Sequence, residues 1–118
     1  MRKKEDSPLD NTHAQLTVAA TALAFGMPYI DVFSKRRLTS HEIFLRQLSM
    51  YLLSTVYNFN LSRVARIFSR DRATVRHACK LIEDQRDSPA FDLAISNLEH
   101  FLLKAPFNPA HSARSQEL

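Results

Sequence analysis

Glycine and cysteine are nearly absent from the sequence, which contains one of each in 118 residues. Phosphate-binding loops of the G-x-x-x-x-G-K and G-x-G-x-x-G types need two or three glycines, so the single Gly26 excludes both. A β-rich fold with tight primed turns is disfavoured for the same reason. Because Cys79 stands alone, the sequence excludes an intramolecular disulfide and a multi-cysteine zinc site, which fits a reducing cytosol.

Long apolar runs are missing as well. No stretch approaches the roughly 20 apolar residues that a membrane-spanning helix needs. The basic start Arg2-Lys3-Lys4 is followed by acidic residues, and the first apolar stretch runs into Gly26-Met27-Pro28 without a small-residue cleavage site. The pattern does not indicate a secretory signal peptide, so we expect a cytoplasmic protein with no membrane contact.

The net charge of +4 comes from 16 basic and 12 acidic residues that are unevenly distributed. Residues 35–80 contain ten basic and two acidic residues, a net charge of +8, whereas residues 1–34 and 81–118 carry −1 and −3. A basic middle segment between acidic ends is typical of a nucleic-acid-binding protein. A solvated arginine-rich surface is the alternative that charge alone leaves open.

The spacing of apolar residues and the capping residues predict an all-α fold, a compact bundle of five to six helices. Residues 1–10 are polar and are predicted to be disordered. The first helix is predicted from Asn11 or Thr12 to about Phe25. Its expected core-facing residues are Leu16, Ala19, Ala20 and Leu23. A short helical turn is predicted over Pro28–Phe33.

The remaining helices are predicted from caps and periodicity along the rest of the chain. They cover residues 39–57 after a capping box, 61–68 after Asn60, 71–85 after Asp71, and 88–103 after Ser88-Pro89. The last helix is expected to face the core with Phe91, Ala94, Ile95, Leu98, Phe101 and Leu102. Residues 11–103 are thus predicted to form one domain, followed by a flexible tail over residues 104–118.

The helices at residues 61–68 and 71–85 have the dimensions of a helix-turn-helix. The second helix has an inward apolar stripe, formed by Val75, Ala78, Cys79 and Ile82. Its opposite face carries Arg72, Ala73, Arg76, His77 and Lys80. Arginine pairs bidentately with guanine, an alanine methyl contacts the thymine methyl, and lysine reaches phosphate, so this face suits a major groove. An exposed arginine-rich helix without a DNA partner remains the alternative.

Residues 71–82, D-R-A-T-V-R-H-A-C-K-L-I, resemble the R-D-H-T-T-V-x-H-A-C-R-K-I motif of the DnaA-type chromosomal replication initiator, in its C-terminal DNA-binding domain. Ser34-Lys35-Arg36-Arg37 is similar to the S-K-R-R loop of that family. Arg46-Gln47 is similar to the start of its R-Q-x-A-M-x-L helix, and Asn60-Leu61 to its S-L helix start. The resemblance covers about residues 12–103.

The resemblance and the exposed face of the second helix together predict two sets of DNA-contacting residues. Base reading is expected from Arg70, Asp71, Arg72, Ala73, Thr74, Arg76 and His77. Contacts to the DNA backbone are expected from Lys35, Arg36, Arg37, Arg46, Arg63 and Lys80. Asp71 is also the expected N-cap of its helix, a role that explains the residue without DNA.

The sequence departs from the family pattern at four positions. Arg72 stands where the family has histidine, and Ala73 where it has the first threonine. Ser69 replaces a Gly-Gly pair in a turn that is one residue shorter, and Phe44 occupies the position of an arginine that enters the minor groove. The resemblance assigns reading of the initiator box to these positions, so we expect DNA binding with a different preferred sequence.

These observations predict a sequence-specific double-stranded DNA-binding protein that regulates transcription. The resemblance implies binding as a monomer, and RNA polymerase or a second regulatory protein is the further partner we consider, in a nucleoid-associated cytoplasmic setting. The chain has no room for the initiator ATPase, so we do not expect a complete initiator. Two alternatives stay open: a replication modulator that competes for initiator-type boxes, and a helical protein-binding adaptor without DNA binding.

Enzymatic chemistry is not indicated by the sequence. His77 and Cys79 are two residues apart on one helix and point to different faces, so they cannot pair as nucleophile and base. The five histidines show no metal-ligand spacing. We therefore expect neither catalysis nor a cofactor nor a metal site.

Overall fold

The computed structural model describes residues 8–105, and helices account for the regular secondary structure in that range. In chain order the helices are α1 (Pro8–Ala24), α2 (Ser40–Tyr57), α3 (Leu61–Phe68), α4 (Arg72–Gln85) and α5 (Pro89–Lys104). The predicted all-α bundle with a helix-turn-helix is confirmed, with five helices in the described part of the chain. The predictions made for residues 1–7 and 106–118 lie outside the described residues.

Helix α2 forms the centre of the bundle, and α1, α3, α4 and α5 all pack against it. One group of its buried residues, which includes Leu45, joins the core shared with Phe68 of α3 and Val75 of α4. Another group, which includes Leu48, joins the core shared with α5 and with Ile82 of α4. Helix α4 contributes Val75 to the first core and Ile82 to the second. The helix-turn-helix is therefore packed against the rest of the bundle along the length of α4.

The predicted N-caps of α2, α3 and α4 are confirmed. The Thr39 hydroxyl accepts a hydrogen bond from the Glu42 N–H at 3.3 Å, and the Glu42 carboxylate accepts one from the Thr39 N–H at 2.8 Å. Asn60 and Asp71 each accept from the backbone N–H three residues later, at 2.9 and 2.8 Å. These N–H groups have no partner inside their own helices, so local sequence determines where the three helices begin.

Helix α1 begins at Pro8, earlier than the start predicted near Asn11. Asp10, in the first turn, is 3% exposed and forms a two-point ion pair with Arg63 of α3, with N–O distances of 2.5 and 2.9 Å. The prediction of disorder was therefore wrong for residues 8–10. Their order depends on a partner 53 residues away, which local composition does not reveal.

The buried face of α1 also differs from the prediction. Ala19 is exposed and Leu23 is 81% exposed, although both were expected to face the core. The buried residues from Ala14 onward are Ala14, Thr17, Val18, Thr21 and Ala22. The hydroxyls of Thr17 and Thr21 each donate to the carbonyl four residues earlier, at 2.7 Å. Carbonyls of the same helix accept the hydrogen bonds of these hydroxyls, so the two threonines can be buried without an unpaired polar group. A prediction from the spacing of apolar residues places them at the surface instead.

Residues 25–39 connect α1 to α2 without a helix, so the helical turn predicted over Pro28–Phe33 was wrong. The Asp31 carboxylate accepts a hydrogen bond from the Phe33 N–H at 3.0 Å, a local bond that competes with helical pairing. Phe33 still reaches the core, where its ring stacks on that of Phe68 with the centroids 4.9 Å apart. The segment therefore contributes to packing without regular structure.

Helix α5 is held in place by the side chain of Arg86, which is 17% exposed. Its guanidinium donates to the Asp92 carboxylate at 2.6 Å, to the Glu99 carboxylate at 3.2 Å, and to the Ser96 hydroxyl at 3.0 Å. A further hydrogen bond of 3.0 Å reaches the Tyr51 hydroxyl of α2. Charge-assisted bonds thus fix the position of α5 relative to α2 and the end of α4.

The predicted inward face of α5 is confirmed in part. Ile95, Leu98 and Leu102 are buried, but Phe101 is 55% exposed and Ala94 is half-buried. Helix α5 packs against α1 and α2 on one side only, so it buries a narrower stripe than its apolar pattern suggests. Apolar surface is left exposed on α5 as a result.

Candidate DNA interface

The helix-turn-helix consists of α3, the turn Ser69–Asp71 and α4. Ser69 ends α3 in the left-handed region, with φ 52° and ψ 45°. The Arg70 N–H then donates to the Ala65 carbonyl at 2.9 Å, which closes the last turn of α3. The chain passes directly into the Asp71 cap of α4, so the predicted tight break is confirmed. Serine adopts here the conformation for which glycine is usually selected.

Helix α4 turns its apolar stripe inward and its polar face outward, as predicted. Val75, Ala78 and Ile82 are buried, and Cys79 is half-buried. The exposed residues on the opposite face are Arg72, Ala73, Arg76, His77 and Lys80. This face can enter a major groove without any rearrangement of the core.

Asp71 and Thr74 form a closed pair at the start of α4. The Asp71 Oδ1 atom accepts from the Thr74 N–H at 2.8 Å and from the Thr74 hydroxyl at 2.7 Å. These two hydrogen bonds hold the pKa of the Asp71 carboxyl below its usual value. The cap role predicted for Asp71 is confirmed, and base reading by this residue stays a prediction.

Arg70 joins the turn to the basic loop, which comprises residues 34–37. Its guanidinium donates to two carbonyls of the turn region, at 2.9 and 3.4 Å, and to the Ser34 carbonyl at 3.1 Å. In return, the Lys35 Nζ atom donates to the Ser69 carbonyl at 2.5 Å. These bonds hold the basic loop beside the start of α4. Arg70 was predicted to read bases, whereas this geometry gives its guanidinium a positioning role.

Arg46 of α2 lies close to this junction. Its Nε atom is buried and makes no hydrogen bond within the described part of the chain. Burial lowers the pKa of the Arg46 guanidinium, and the neighbouring charge of Arg70 lowers it further. Because this Nε atom is enclosed by the protein, a phosphate on the DNA surface cannot reach it. The backbone contact predicted for Arg46 stays a prediction.

The other residues of the basic loop and α4 that were predicted to contact the DNA backbone differ in the partners they have within the protein. Arg36 binds both carboxylate oxygens of Glu42, at 3.2 and 3.0 Å, and together with the Thr39 cap it lowers the pKa of Glu42 to about 2. Lys80 lies 3.7 Å from the exposed Asp84, a pair that solvent screens. Arg37 is exposed and forms no ion pair among residues 8–105. Arg37 and Lys80 are therefore the cations most available to DNA in this group.

Arg63 was predicted to contact the DNA backbone, but the structure places it between α3 and α1. Its guanidinium is paired with the buried Asp10 and lies 3.6 Å from the centroid of the Phe59 ring. The Arg63 hydrogen bond holds the pKa of Asp10 below its usual value of 3.8. We therefore leave Arg63 out of the candidate interface.

Replacing Arg63 with alanine is expected to lower the free energy of unfolding by about 1–3 kcal/mol at neutral pH, because Asp10 is left buried without its partner. The folded-state pKa of Asp10 lies below 3.8, so the ion pair stabilises the fold fully above pH 3.8 and is lost as the pH falls through the folded pKa. Urea unfolding of the wild type and of Arg63→Ala should therefore show a smaller difference in the free energy of unfolding at low pH than at neutral pH. The same difference at both pH values would contradict the role of this ion pair. Asp10→Asn is the matched variant, because it has no titrating group at this position.

Phe44 occupies the position that the family resemblance assigned to a minor-groove arginine. The ring packs against Phe25 and Phe91, with centroid distances of 5.4 and 6.2 Å. Phe44 of α2 is therefore part of an aromatic cluster with Phe25, which directly follows α1, and Phe91 of α5. Sequence spacing gave no signal for this cluster, because its three rings come from distant parts of the chain.

Metal, thiol and membrane chemistry find no support in the described residues. Between residues 8 and 105, no group of three or more His, Cys, Asp or Glu side chains could hold a metal ion. Burial and the nearby Glu83 raise the pKa of the Cys79 thiol, which disfavours the reactive thiolate. No helix described here has the length and apolar character to cross a membrane.

Comparison with known proteins agrees with the geometry of α3 and α4. The family model of the bacterial dnaA protein helix-turn-helix matches residues 15–82, which is more than half of the chain. No solved structure matches the chain. The match covers α2, α3 and most of α1 and α4, including the turn and the exposed basic face. The chain therefore belongs to the family of bacterial DnaA helix-turn-helix domains.

Proposed function

We propose that this protein binds double-stranded DNA in a sequence-specific manner and regulates transcription by occupying its sites. The observation that carries the proposal is the exposed face of α4, which presents Arg72, Ala73, Arg76 and His77 on a helix whose other side is fixed in the core. A duplex bound along this face meets side chains that discriminate bases. A bound domain can block or recruit RNA polymerase or a second regulatory protein at the same site.

Arg72 and Arg76 are the strongest candidates for base reading. They are four residues apart, so they lie on one face of α4 and about 6 Å apart along its axis. That separation matches about two base-pair steps of a duplex. Both side chains are exposed, and each can donate two hydrogen bonds to a guanine edge. Ala73 can contact a thymine methyl beside Arg72.

The DNA backbone would be contacted on the side of the basic loop. Lys35 and Arg70 hold this loop, which carries Arg37, against the turn at the N-terminal end of α4. Arg46 of α2 lies close enough to Arg70 for the charge of Arg70 to lower the pKa of Arg46. The net charge of +8 over residues 35–80 would attract the phosphate backbone to this side of the domain. One copy of the domain suffices for these contacts.

Replacing Arg72 with alanine is expected to weaken binding to the preferred site by about 5- to 150-fold, equivalent to about 1–3 kcal/mol, and to relax specificity at one base position. Selection from a random duplex library, followed by titration of the selected site, measures both effects. Lys104→Ala is the matched control, because this exposed cation lies at the far end of α5. Failure of the wild-type protein to enrich any sequence would overturn the proposed function.

Replacing Arg37 with alanine is expected to weaken binding to all duplexes alike and to reduce the slope of log K against log salt by about one unit. Arg37 is preferred to Lys35 for this test, because Lys35 also holds the turn through Ser69. Fluorescence anisotropy at several salt concentrations measures the slope. A loss confined to one sequence would show that Arg37 reads bases instead.

Family membership favours a second candidate function, the occupancy of initiator-type boxes to modulate replication. Arg72 and Ala73 replace the residues that the family motif has at this position, and Phe44 is packed among aromatic rings. We therefore expect weaker binding to an initiator box than to the selected sequence. Competition between the two duplexes for the protein distinguishes the candidates.

A further inference from the structure

An apolar groove of about 370 Å³ lies between α1 and α5. Three of its lining residues are the small side chains Ala20, Ala24 and Ala94. Leu23 and Phe101 also line it, and they are 81% and 55% exposed. We call this surface the α1–α5 face. Large exposed apolar side chains beside a groove of this size are typical of a protein-binding surface.

The α1–α5 face is almost free of charge. Residues 11–30, which include most of α1, contain no Asp, Glu, Lys or Arg. On α5, Asp92 and Glu99 are bound by Arg86, and Lys104 lies at the very end of the helix. The neighbouring segment from residue 35 to residue 80 has a net charge of +8. The apolar face is therefore electrostatically distinct from the rest of the surface.

We propose that the α1–α5 face binds a second copy of this chain. A twofold contact places the same surface on both sides, so a charged surface brings like charges together. The α1–α5 face avoids that repulsion, whereas the basic face of α4 does not. The shape of the α1–α5 face also favours a twofold contact. The exposed side chains of Leu23 and Phe101 and the alanine-lined groove lie on the same surface. A twofold arrangement lets the projecting side chains of each copy fill the groove of the other.

The proposed contact leaves the candidate DNA interface open. Helix α4 packs against α2 and α3, whereas the groove is formed by α1 and α5. Each copy can therefore bind its own site as a single domain, and the dimer carries two recognition helices. Binding to paired sites on one duplex is the functional consequence. The contact between copies does not itself require DNA.

Sedimentation velocity of the full chain, without DNA, tests the proposal between about 1 and 100 μM, a range that covers a weak dimer. We expect the wild type to show a monomer–dimer equilibrium. The double variant Leu23→Glu and Phe101→Glu should dimerise at least about tenfold more weakly, because it places carboxylates on both sides of the contact. A wild-type protein that stays monomeric throughout this range overturns the proposal. Binding of an unrelated protein to the α1–α5 face would not rescue it, because the proposed occupant is a second copy of the chain.

Leu103→Glu is the matched control. Leu103 is 64% exposed on the same helix but lies about 200° around it from Phe101, so this variant should dimerise like the wild type. Circular dichroism and thermal melting check that each variant is folded. If the glutamate pair unfolds the chain, Leu23→Ala and Phe101→Ala remove the projecting side chains without adding charge and should give the same loss. If the folded double variant still dimerises like the wild type, the contact does not use the α1–α5 face. The same conclusion follows if Leu103→Glu weakens the dimer as much as the double variant does.

Discussion

Replacing Phe68 with alanine is expected to lower the free energy of unfolding by about 3–5 kcal/mol. Phe68 is fully buried at the end of α3, and its ring stacks on Phe33. It belongs to the core that also contains Val75 of α4 and Leu45 of α2. The truncated side chain leaves a cavity between both helices of the helix-turn-helix and the segment before α2. Urea unfolding followed by circular dichroism measures the loss.

Leu103→Ala is the control for this substitution, because Leu103 is 64% exposed and should change the free energy of unfolding by no more than about 0.5 kcal/mol. A domain of this size has a total stability of about 5–15 kcal/mol, so Phe68→Ala removes a large fraction of it. Phe68→Leu keeps most of the volume and is expected to remain measurable if the alanine variant unfolds. Equal effects of Phe68→Ala and Leu103→Ala would contradict the packing described here.

Replacing Arg70 with alanine is expected to cost about 1.5–3 kcal/mol of stability, since charged hydrogen bonds to the half-buried carbonyls of Phe68 and Ser34 are lost. The Ser34 carbonyl loses its link to the turn, so the basic loop is no longer held against α4. We therefore expect DNA affinity to fall more than tenfold for every duplex, together with the melting temperature. Fluorescence anisotropy and thermal unfolding measure the two effects on the same variant.

Arg70→Lys separates the positioning role from base reading. A lysine keeps the charge but cannot bridge the turn and the Ser34 carbonyl with a planar fork, so it should recover only part of the stability. A base reader would behave differently, because its loss would relax specificity at one base and leave stability unchanged. That pattern in Arg70→Ala would restore the assignment made from sequence.

Local structure was the most predictable part of this protein. The caps at Thr39, Asn60 and Asp71 follow from side chains that accept hydrogen bonds within three residues, and all three are confirmed. The inward stripe of α4 follows equally from helical periodicity, because α2 and α3 cover one side of this helix. Spacing was less informative for α1, where Thr17 and Thr21 are buried and Leu23 is not.

The partners of the charged residues were the least predictable part of the candidate site. Arg63, Arg70 and Arg36 are alike in sequence, as cations of a basic segment. In the structure, Arg63 binds Asp10, Arg36 binds Glu42, and Arg70 binds backbone carbonyls. A charge count gives the sign of the surface, but the availability of each cation depends on which acceptor lies within reach.

The sequence by itself determined the helical class, the helix-turn-helix and the exposed basic face of α4, because helix caps and periodic faces depend on residues within one or two turns. Only the tertiary structure decided which cations remain available, where Phe44 packs, and that an uncharged apolar face is left between α1 and α5. Those features join residues far apart in the chain, such as Asp10 and Arg63 at a separation of 53. Contacts of that range depend on how the helices pack around α2, and packing is a property of the whole fold.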